Sequence, residues 1–308
     1  MNKTSRIYIA GHTGLIGSAI VRKYRREGFT NIITRTHQEL DLCDQLSVKK
    51  LFNEEKPEYV ILAAAKVGGI QTNSAHPAQF LIENLSIQNN VILAAHEYNV
   101  QKLLNISCGC AYPTNAMQPI KEEYLLSGKP EITNEGFAIA KIVGIKLCEK
   151  IHLEFNQNFI SCIAANTYGQ NDHFDENRSH VISSLIRKLH DAKQNNLPAI
   201  TIWGTGTALR EFIYVDDLAY ALHLLMQKYS DPEIINIGSG YEISIQELST
   251  IIQKVIQYKG TIRFDSSKPD GMKRRLLDNT KMKALGFTLK ISLEEGISRT
   301  YQFMLKAQ

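Results

Sequence analysis

Three glycines, each three residues after the last, follow the first apolar run of the chain and restrict its fold more than any other feature. Ile7–Ala10 has the continuous apolar pattern of a buried β-strand, and Gly11, Gly14 and Gly17 come directly after it. In such a loop the first glycine permits a tight turn, the second lets the backbone approach a pyrophosphate, and the third allows close helix packing. Because N–H groups at a helix start attract anions, the loop predicts a dinucleotide site. An ordinary strand-to-helix turn is the alternative.

Short apolar strands alternate with helical patterns through the first half of the chain. Further strands are predicted at residues 31–34, 59–63, 103–106 and 159–163, and helices at 18–27, 47–53, 77–98 and 137–155. This alternation is typical of a parallel sheet with helices on both faces. We therefore predict an α/β fold with a Rossmann-type doubly wound parallel sheet, formed by residues 1–168 and about 205–238.

The pattern changes after about residue 170, where polar loops surround one predicted helix at residues 181–193 and scattered short strands. Residues of about 169–204 and 239–308 form a predicted smaller α/β lobe that binds the substrate. Because the two parts alternate along the chain, we expect the lobe to be interleaved with the sheet domain.

Composition excludes several classes of protein. Of the 308 residues, 44% are hydrophobic and 21% are charged, as in ordinary globular proteins. The net charge of +4 is too small and too evenly spread to indicate nucleic-acid binding, but it suits a small anionic ligand. Five cysteines without zinc-ligand spacing predict reduced thiols in the cytoplasm and no metal site. The sequence shows no signal-peptide core and no apolar stretch near the roughly 20 residues of a membrane span.

The residues after the second predicted strand select between nicotinamide cofactors. A carboxylate there would bind the ribose 2′-hydroxyl of NAD and repel a 2′-phosphate. This chain has Thr34, Arg35, Thr36 and His37 instead, which favours NADP. The alternative is that Arg35 is an ordinary surface cation. Asp41 is placed near the adenine, or else it caps a helix.

The run Leu-Ala-Ala-Ala-Lys-Val-Gly-Gly-Ile at residues 62–70 is unusual, and with it the chain resembles the GDP-L-fucose synthase family. These are extended short-chain dehydrogenases that epimerise and then reduce a GDP-4-keto-6-deoxy sugar. The similarity spans nearly the whole chain, and the ordered set of motifs is specific. The other matching segments are Glu83-Asn84, residues 134–141, Ser179-His180-Val181-Ile182, residues 203–206, Arg210-Glu211-Phe212, Val215-Asp216-Asp217 and residues 268–272, which include Pro269.

The resemblance implies NADP(H) as cofactor, a GDP-linked 4-keto-6-deoxy sugar as substrate, and a homodimer formed through helices near residues 85–98 and 137–155. It also implies a cytosolic nucleotide-sugar pathway, such as one that supplies a capsule or lipopolysaccharide. The implied cofactor-binding residues are Gly11, Thr13, Gly14, Leu15, Ile16, Gly17, Arg35, His37, Asp41, Leu42, Ala63, Ala64, Ala65, Lys141 and His180.

The implied substrate-binding residues are Asn166, Lys188, Trp203, Arg210 and Asp270. Arg210 suits a diphosphate because a guanidinium forks onto two oxygens, although an ion pair with Glu211 or Asp217 is the alternative. Trp203 either stacks on a ligand or packs in the protein. Asp270 either binds ribose or serves only its turn. On the helix that carries Lys188, only one of the adjacent cations, Lys188 or Arg187, can face phosphate.

The chemistry implied by the resemblance has two parts. A C4 ketone acidifies the protons at C3 and C5, so that one acid and one base can invert both centres. Alignment on Tyr112 places Cys110 at the family's epimerisation cysteine and His180 at its partner histidine. The alternatives are a small buried thiol for Cys110 and a helix-start residue for His180.

The chain departs from the family at the residues for the second part, the reduction of C4. The family's serine position holds Cys108, and Ser107 beside it either reaches the site or does not. The family's tyrosine has become Phe137, four residues before Lys141. Because positions i and i+4 share a helix face, Lys141 still faces the place of the missing phenol.

Loss of a general acid weakens a reaction by about 10²- to 10⁴-fold without forbidding it. Water, His180, Cys108 or a tyrosine such as Tyr124 is a candidate substitute. Three hypotheses follow: an NADPH-dependent epimerase and reductase, an epimerase in which NADP is structural, and a non-catalytic nucleotide-sugar-binding protein. The Cys110 and His180 pair disfavours the third, and the breadth of the resemblance favours the first.

Overall fold

The continuous apolar runs of the first half of the chain form one parallel sheet. In this computed structural model, which describes residues 1–175, 179–268 and 270–306, the strands are almost wholly buried because helices cover both faces. In spatial order they are β2 (Ile32–Ile33), β1 (Ile7–Ala10), β3 (Tyr59–Leu62), β4 (Lys102–Cys108), β5 (Asn158–Ala164) and β9 (Ile235–Ile237). All neighbouring pairs in this sheet are parallel.

The sheet domain also carries six helices: α1 (Leu15–Arg26), α2 (Gln45–Glu55), α3 (Ile70–Ala75), α4 (Pro77–Glu97), α5 (Glu135–Phe155) and α7 (Val215–Lys228). Three 3₁₀ helices lie at Gly109–Ala111, Glu122–Tyr124 and Ile132–Asn134. The Rossmann-type prediction is confirmed, and the predicted strands and helices are all present with ends displaced by a few residues. Among the helices within the described ranges, none has the length and apolar character needed to cross a membrane.

The smaller lobe is built on two short sheets. One contains β6 (Asn166–Tyr168), β8 (Leu209–Tyr214), β10 (Glu242–Ser244) and β12 (Arg274–Arg275), and the other pairs β7 (Ala199–Trp203) with β11 (Thr261–Asp265). Its helices are α6 (Val181–Gln194), α8 (Ile245–Ile256), α9 (Thr280–Ala284) and α10 (Leu293–Lys306).

The two parts of the molecule interleave within the predicted segment 205–238. Only α7 and β9 of that segment belong with the large sheet, and β8 lies at the centre of the lobe's four-stranded sheet. The cause is β6, which follows β5 closely and pairs with β8 in parallel. The smaller lobe therefore begins at the carboxyl ends of the large sheet.

A buried lysine ties the first residue of β4 to the end of α7. Lys102 is 4% exposed, and its ammonium donates to the carbonyl oxygens of Leu225 at 2.8 Å and Met226 at 3.0 Å, and to that of Tyr229. These carbonyls lie at a helix end, where the last turn has no intrahelical donors. Lys102 therefore supplies both the missing donors and a favourable charge for the helix dipole.

We predict that Lys102→Met lowers the free energy of unfolding by about 2–4 kcal/mol, because the buried carbonyls lose a charged donor while the stem keeps its packing. Chemical denaturation measures this difference. Lys259→Met, at an exposed lysine, is the matched control and should change stability by less than about 0.5 kcal/mol. Equal effects of the two substitutions would contradict this account of Lys102.

Candidate active site

The glycine loop lies at the carboxyl end of β1, where steric contact leaves no room for side chains. Gly11 has a φ of +84°, and a Cβ there would lie 2.7 Å from the backbone of Ala64. A Cβ on Gly17 would lie 2.1 Å from the carbonyl oxygen of Gly11. Gly14, which precedes the first residue of α1, is exposed and donates its N–H to that same oxygen at 3.1 Å. The loop therefore forms an open cradle at a helix start, which fits a pyrophosphate.

The other predicted residues of this cradle lie around it. Thr13 is exposed, whereas Leu15 and Ile16 are half-buried in the first turn of α1. The backbone N–H of Ala63 donates to Ala10 at 3.0 Å and continues the sheet toward Ala64 and Ala65.

A buried asparagine holds the loop that follows β3. Asn84 on α4 is 2% exposed, and its side chain accepts the N–H of Lys66 at 3.0 Å and donates to the carbonyl of Lys66 at 3.1 Å. It also donates to the carbonyl of Phe80 at 2.7 Å. A single amide side chain therefore fixes the backbone of this loop beside the glycine cradle.

Arg35 lies just beyond β2 and is not an isolated surface cation. Its guanidinium forms an ion pair with Glu55 at the end of α2 and donates to the carbonyl of Thr34 at 2.8 Å. The side chain of His37 is 84% exposed. The carboxylate of Asp41 accepts the N–H of Cys43 at 2.9 Å and so supports a local turn. Leu42 is half-buried beside this turn.

Two thiols meet at the carboxyl end of β4. The sulfur atoms of Cys108, the last residue of β4, and Cys110, in the following 3₁₀ helix, are 2.6 Å apart. Cys110 is 6% exposed and belongs to an apolar cluster with Phe80, Phe137 and Ala138, against which the half-buried Cys108 packs. We call Cys108 and Cys110 the dithiol.

The two thiols of the dithiol have different pKa values. The hydrogen bond from the Cys110 thiol, followed by the charges of Lys141 and Arg275, lowers the pKa of Cys108 to about 7. The same hydrogen bond and burial hold the pKa of Cys110 well above its usual range. Two coupled groups titrate as a pair, so near neutral pH the dithiol exchanges one proton with its surroundings and retains the other.

Lys141 approaches the dithiol from α5. Its side chain is buried, and its ammonium donates to the carbonyl of Ile106 at 3.2 Å. The ammonium nitrogen also lies 5.7 Å from the centre of the Phe137 ring, one helical turn away. Burial lowers the pKa of Lys141, and the neighbouring cysteines oppose that shift. The position four residues before Lys141 therefore faces the same site, but Phe137 offers no hydroxyl there.

Ser107 does not share this environment. It precedes Cys108 in β4, and consecutive residues of a strand face opposite sides of the sheet. Its side chain is buried, and its hydroxyl has no hydrogen-bond partner among the described residues. Tyr124 lies elsewhere as well, in an apolar cluster with Tyr112 and Ile120. The structure therefore leaves Ser107 and Tyr124 outside the cluster that contains Phe137.

His180 stands immediately before α6 and is oriented by a carboxylate. Its Nδ1 lies 3.2 Å from Asp172, whose side chain is 1% exposed and also accepts the hydroxyl of Ser183 and the N–H of His173. The hydrogen bond to Asp172 raises the pKa of His180, and the charge of Cys108 contributes in the same direction. Sequence reasoning missed Asp172, because nothing in the polar loop around it marks one carboxylate as the partner of a histidine eight residues later.

Two arginines occupy paired positions on neighbouring strands. Arg210 on β8 and Arg275 on β12 are register partners. Burial and then the charge of Arg275 lower the pKa of Arg210 to about 10. Within the described parts of the chain, no carboxylate lies within ion-pair distance of either guanidinium; Arg210 donates to the backbone carbonyls of Leu209 and Asp270.

The alternative ion pair of Arg210 with Glu211 or Asp217 is therefore wrong. Glu211 is 1% exposed and accepts the N–H groups of Gly240 at 2.7 Å and Leu277 at 2.9 Å. Asp217 accepts the N–H groups of two residues in the loop before α10. Glu211 follows Arg210 in β8 and therefore faces the opposite side of the sheet. Asp217 lies on a different element, α7.

Arg275 was not singled out by sequence reasoning. A Cβ on Gly109 would lie 3.3 Å from Cδ of Arg275, so this side chain passes beside the turn that joins Cys108 to Cys110. Its Nε is buried without a partner in the described residues. In the sequence, Arg275 is marked only as the second residue of the pair Arg274-Arg275. What brings it to the site is the pairing of β12 with β8, two strands that are far apart in the chain.

The remaining predicted substrate-binding residues differ in their exposure and in their hydrogen-bond partners. Asn166 is exposed and donates to the carbonyl of Glu211 at 3.0 Å, and Lys188 is exposed and donates to the carbonyl of Thr201. The neighbouring Arg187 pairs with Asp191 at 2.8 Å. Trp203 is 58% exposed.

The carboxylate of Asp270 accepts hydrogen bonds from the loop that contains Thr205. Its carboxylate accepts the N–H of Thr205 at 2.7 Å and its hydroxyl at 2.8 Å. Its contacts therefore join two loops of the lobe. Pro269, in the same predicted motif, lies outside the described residues.

Comparison with known proteins agrees with this architecture. The NAD dependent epimerase/dehydratase family matches residues 7–238. A protein named putative GDP-L-fucose synthase 2 from Arabidopsis thaliana is 50% identical over 99% of this chain and 93% of its own length. GDP-L-fucose synthase from Escherichia coli K12 is 44% identical over 98% of this chain and 97% of its own.

Solved structures give the same result. A GDP-mannoheptose C4 reductase from Campylobacter jejuni with NADP bound superposes with a TM-score of 0.91 at 39% identity, over 99% of both chains. A GDP-D-glycero-L-gluco-heptose synthase from the same organism, solved in the presence of NADPH, has a TM-score of 0.93 at 37% identity over 99% of both chains. The chain belongs to the NAD dependent epimerase/dehydratase family and, within it, to the family of the GDP-L-fucose synthases.

Proposed function

We propose that the protein is an NADP(H)-dependent enzyme that acts on a GDP-linked 4-keto-6-deoxy sugar, a hexose or a heptose, by epimerisation at C3 and C5 and reduction at C4. The observation that carries the proposal is that Lys141 and His180 both interact with the dithiol, of which Cys110 is a member. The relatives named above act on GDP-sugars, which supports the same substrate class. An epimerase without reductase activity is the second candidate, and Phe137 favours it.

The cofactor is assigned to the large sheet and the substrate to the lobe, in keeping with the predicted division of the chain. The exposed backbone of Gly14 at the start of α1 fits a dinucleotide pyrophosphate, and the absence of side chains at Gly11 and Gly17 lets the loop pack tightly enough to present it. When bound, NADPH supplies the hydride for C4. Lys141 would hold the nicotinamide ribose, and Arg35 would bind the 2′-phosphate.

Epimerisation uses the dithiol and His180 on opposite faces of the sugar. The ketone at C4 acidifies the neighbouring C–H bonds, and the dithiol, which has lost one of its two protons, accepts the proton that leaves. His180, whose pKa is raised by its hydrogen bond to Asp172, holds a proton for the other face. Lys141 stabilises the negative charge that develops on the C4 oxygen.

The diphosphate of the substrate is assigned to Arg210 and Arg275. The two half-buried guanidinium groups repel each other, and the carboxylate of Asp270 offsets this only in part for Arg210. A diphosphate supplies the missing negative charge, and each guanidinium can fork onto two of its oxygens. Trp203, Asn166, Lys188 and the turn of Asp270 surround the nucleotide and sugar in this assignment.

We assign the protein to the cytoplasm as a homodimer formed through α4 and α5. Both helices carry exposed apolar side chains, among them Ile82 at 61%, Leu93 at 39%, Val143 at 38% and Leu153 at 61%. Two long helices with outward apolar residues that also pack on each other form one surface, which is suited to association with the same surface of a second copy.

The function is tested with a GDP-4-keto-6-deoxy sugar in D₂O, with and without NADPH. We expect deuterium at C3 or C5 and, when NADPH is present, its oxidation. Cys110→Ala should lower deuterium incorporation by at least about 100-fold because the acid–base group is gone. Cys148→Ala, at a buried cysteine of α5, is the matched control. Deuterium incorporation without NADPH oxidation would support an epimerase that lacks reductase activity. The absence of both deuterium incorporation and NADPH oxidation would contradict both candidate functions.

We predict that Asp172→Asn slows deuterium incorporation and shifts its pH dependence. Asp172 raises the pKa of His180, so the variant's His180 loses its proton at lower pH. The alkaline limb of the exchange profile should therefore move to lower pH. Asp191→Asn, in an exposed ion pair of α6, should leave the profile unchanged. An unchanged profile in Asp172→Asn would show that His180 is not the acid.

We predict that Arg35→Ala weakens NADPH binding by about 10- to 100-fold, the cost of losing charge-assisted hydrogen bonds to the 2′-phosphate. The Kd for NADH should change by less than about twofold, because that cofactor lacks the phosphate. Calorimetry on both cofactors measures the difference, and Arg25→Ala, at an exposed arginine of α1, is the control. Equal weakening of NADPH and NADH would place Arg35 outside the phosphate site.

A further inference from the structure

Reduction of a ketone consumes a proton as well as a hydride, and the residue at the expected place of the donor is Phe137. A carbonyl oxygen that receives no proton leaves an alkoxide, whose formation in a dry site is strongly unfavourable. The phenyl ring of Phe137 has no hydrogen to give. The donor must therefore be another group in the same part of the cleft.

Among the described residues, the apolar cluster around Phe137 contributes two thiols, Cys108 and Cys110, and the ammonium of Lys141 lies 5.7 Å from the ring, where it is held by the carbonyl of Ile106. The other members of the cluster are Phe80 and Ala138, with Ala65 packed against it. Tyr124 belongs to another cluster. His180 is half exposed and bound through Nδ1 to Asp172.

The two thiols differ in their access to a ligand. Cys110, within the 3₁₀ helix, is 6% exposed, whereas Cys108 is half-buried at the last position of β4. Cys108 follows Ile106 on the same face of the strand, and the carbonyl of Ile106 holds the ammonium of Lys141 at 3.2 Å. The accessible thiol, the lysine and the phenyl ring therefore face one another.

We propose that Cys108 donates the proton to the C4 oxygen of the sugar during reduction, while Cys110 keeps its own proton and donates the hydrogen bond that stabilises the Cys108 thiolate. The C4 carbon accepts the hydride, the electron pair of the C=O π bond moves onto the oxygen, and the oxygen takes the proton from Sγ of Cys108. The electron pair of the S–H bond stays on sulfur as a thiolate. This proposal rests on the proposed function, because it assumes that the sugar is reduced at C4.

The surroundings of Cys108 stabilise that thiolate. The thiol of Cys110 lies 2.6 Å away, and the cations Lys141 and Arg275 approach from α5 and β12. His180, backed by Asp172, also interacts with Cys108. These groups hold the pKa of Cys108 at about 7, which suits an acid that works near neutral pH.

The test compares reduction by the wild type, Cys108→Ser, Phe137→Tyr and the double variant. Cys108→Ser should slow NADPH oxidation by about 100-fold or more, because a serine hydroxyl is a far weaker acid. In the Phe137→Tyr background a phenol is available, and the same Cys108→Ser change should alter the rate by less than about threefold. The melting temperature of each variant shows whether the fold persists, and deuterium incorporation measures the first reaction separately from NADPH oxidation.

The outcomes separate the possible roles. A Cys108→Ser enzyme that reduces at the wild-type rate would overturn the proposal, since the donor would lie elsewhere. An equal loss in both backgrounds would also overturn it and would make Cys108 a positioning residue. If the wild type neither incorporates deuterium nor oxidises NADPH, the proposed function itself fails, which is a different result.

Two measurements as a function of pH test the ionisation of Cys108 more directly. In the protein without cofactor or substrate, ultraviolet absorbance of thiolate should rise with a midpoint near pH 7, and this transition should be absent from Cys108→Ser. The reduction rate of the wild type should fall above the same pH, as the donor loses its proton. In Phe137→Tyr the fall should move to higher pH, because a phenol has an ordinary pKa of about 10. A transition near pH 7 that survives Cys108→Ser would contradict the assignment.

Discussion

The parallel pairing of β4 with β5 is the contact on which the site depends. It runs from Lys102 beside Asn158 to Cys108 beside Ala164, along the full length of both strands. Because both strands end at the same edge, β4 continues into the dithiol turn while β5 continues into the substrate lobe. A shift of one residue would turn every side chain of β4 to the opposite face and exchange Cys108 for Ser107.

The site at this edge carries more positive than negative groups. Lys141, Arg210 and Arg275 bring three positive groups to it, and Asp172 faces His180 instead. Buried charges interact more strongly than charges in water, since little solvent screens them. Any negative charge that forms in the cleft, on sulfur, on a sugar oxygen or on a diphosphate, is therefore stabilised by the same cations.

Much of this structure could be predicted from local sequence. The glycine loop, the apolar strands and the long helices depend on residues that are close together in the chain, and they lie within a few residues of the predicted positions. Asp172 and Arg275 could not be predicted in this way. Asp172 depends on the path of a loop, and Arg275 depends on the pairing of β12 with β8, two strands separated by about sixty residues. The ion pair of Arg35 with Glu55 was missed for the same reason.

The two departures from the family pattern are more easily understood together than separately. Phe137 removes a hydroxyl from α5, and Cys108 introduces an acidic thiol on β4, so that the ionisable hydrogen moves from a helix to the end of a strand. The apolar ring also helps to exclude water from the dithiol, which strengthens its interactions with Lys141 and Arg275. A cysteine at this strand end acquires its acidity from Cys110, two residues later in the chain, and from cations on two other elements. The sheet register positions the acid, and its neighbour Cys110 together with the cations of α5 and β12 makes it acidic.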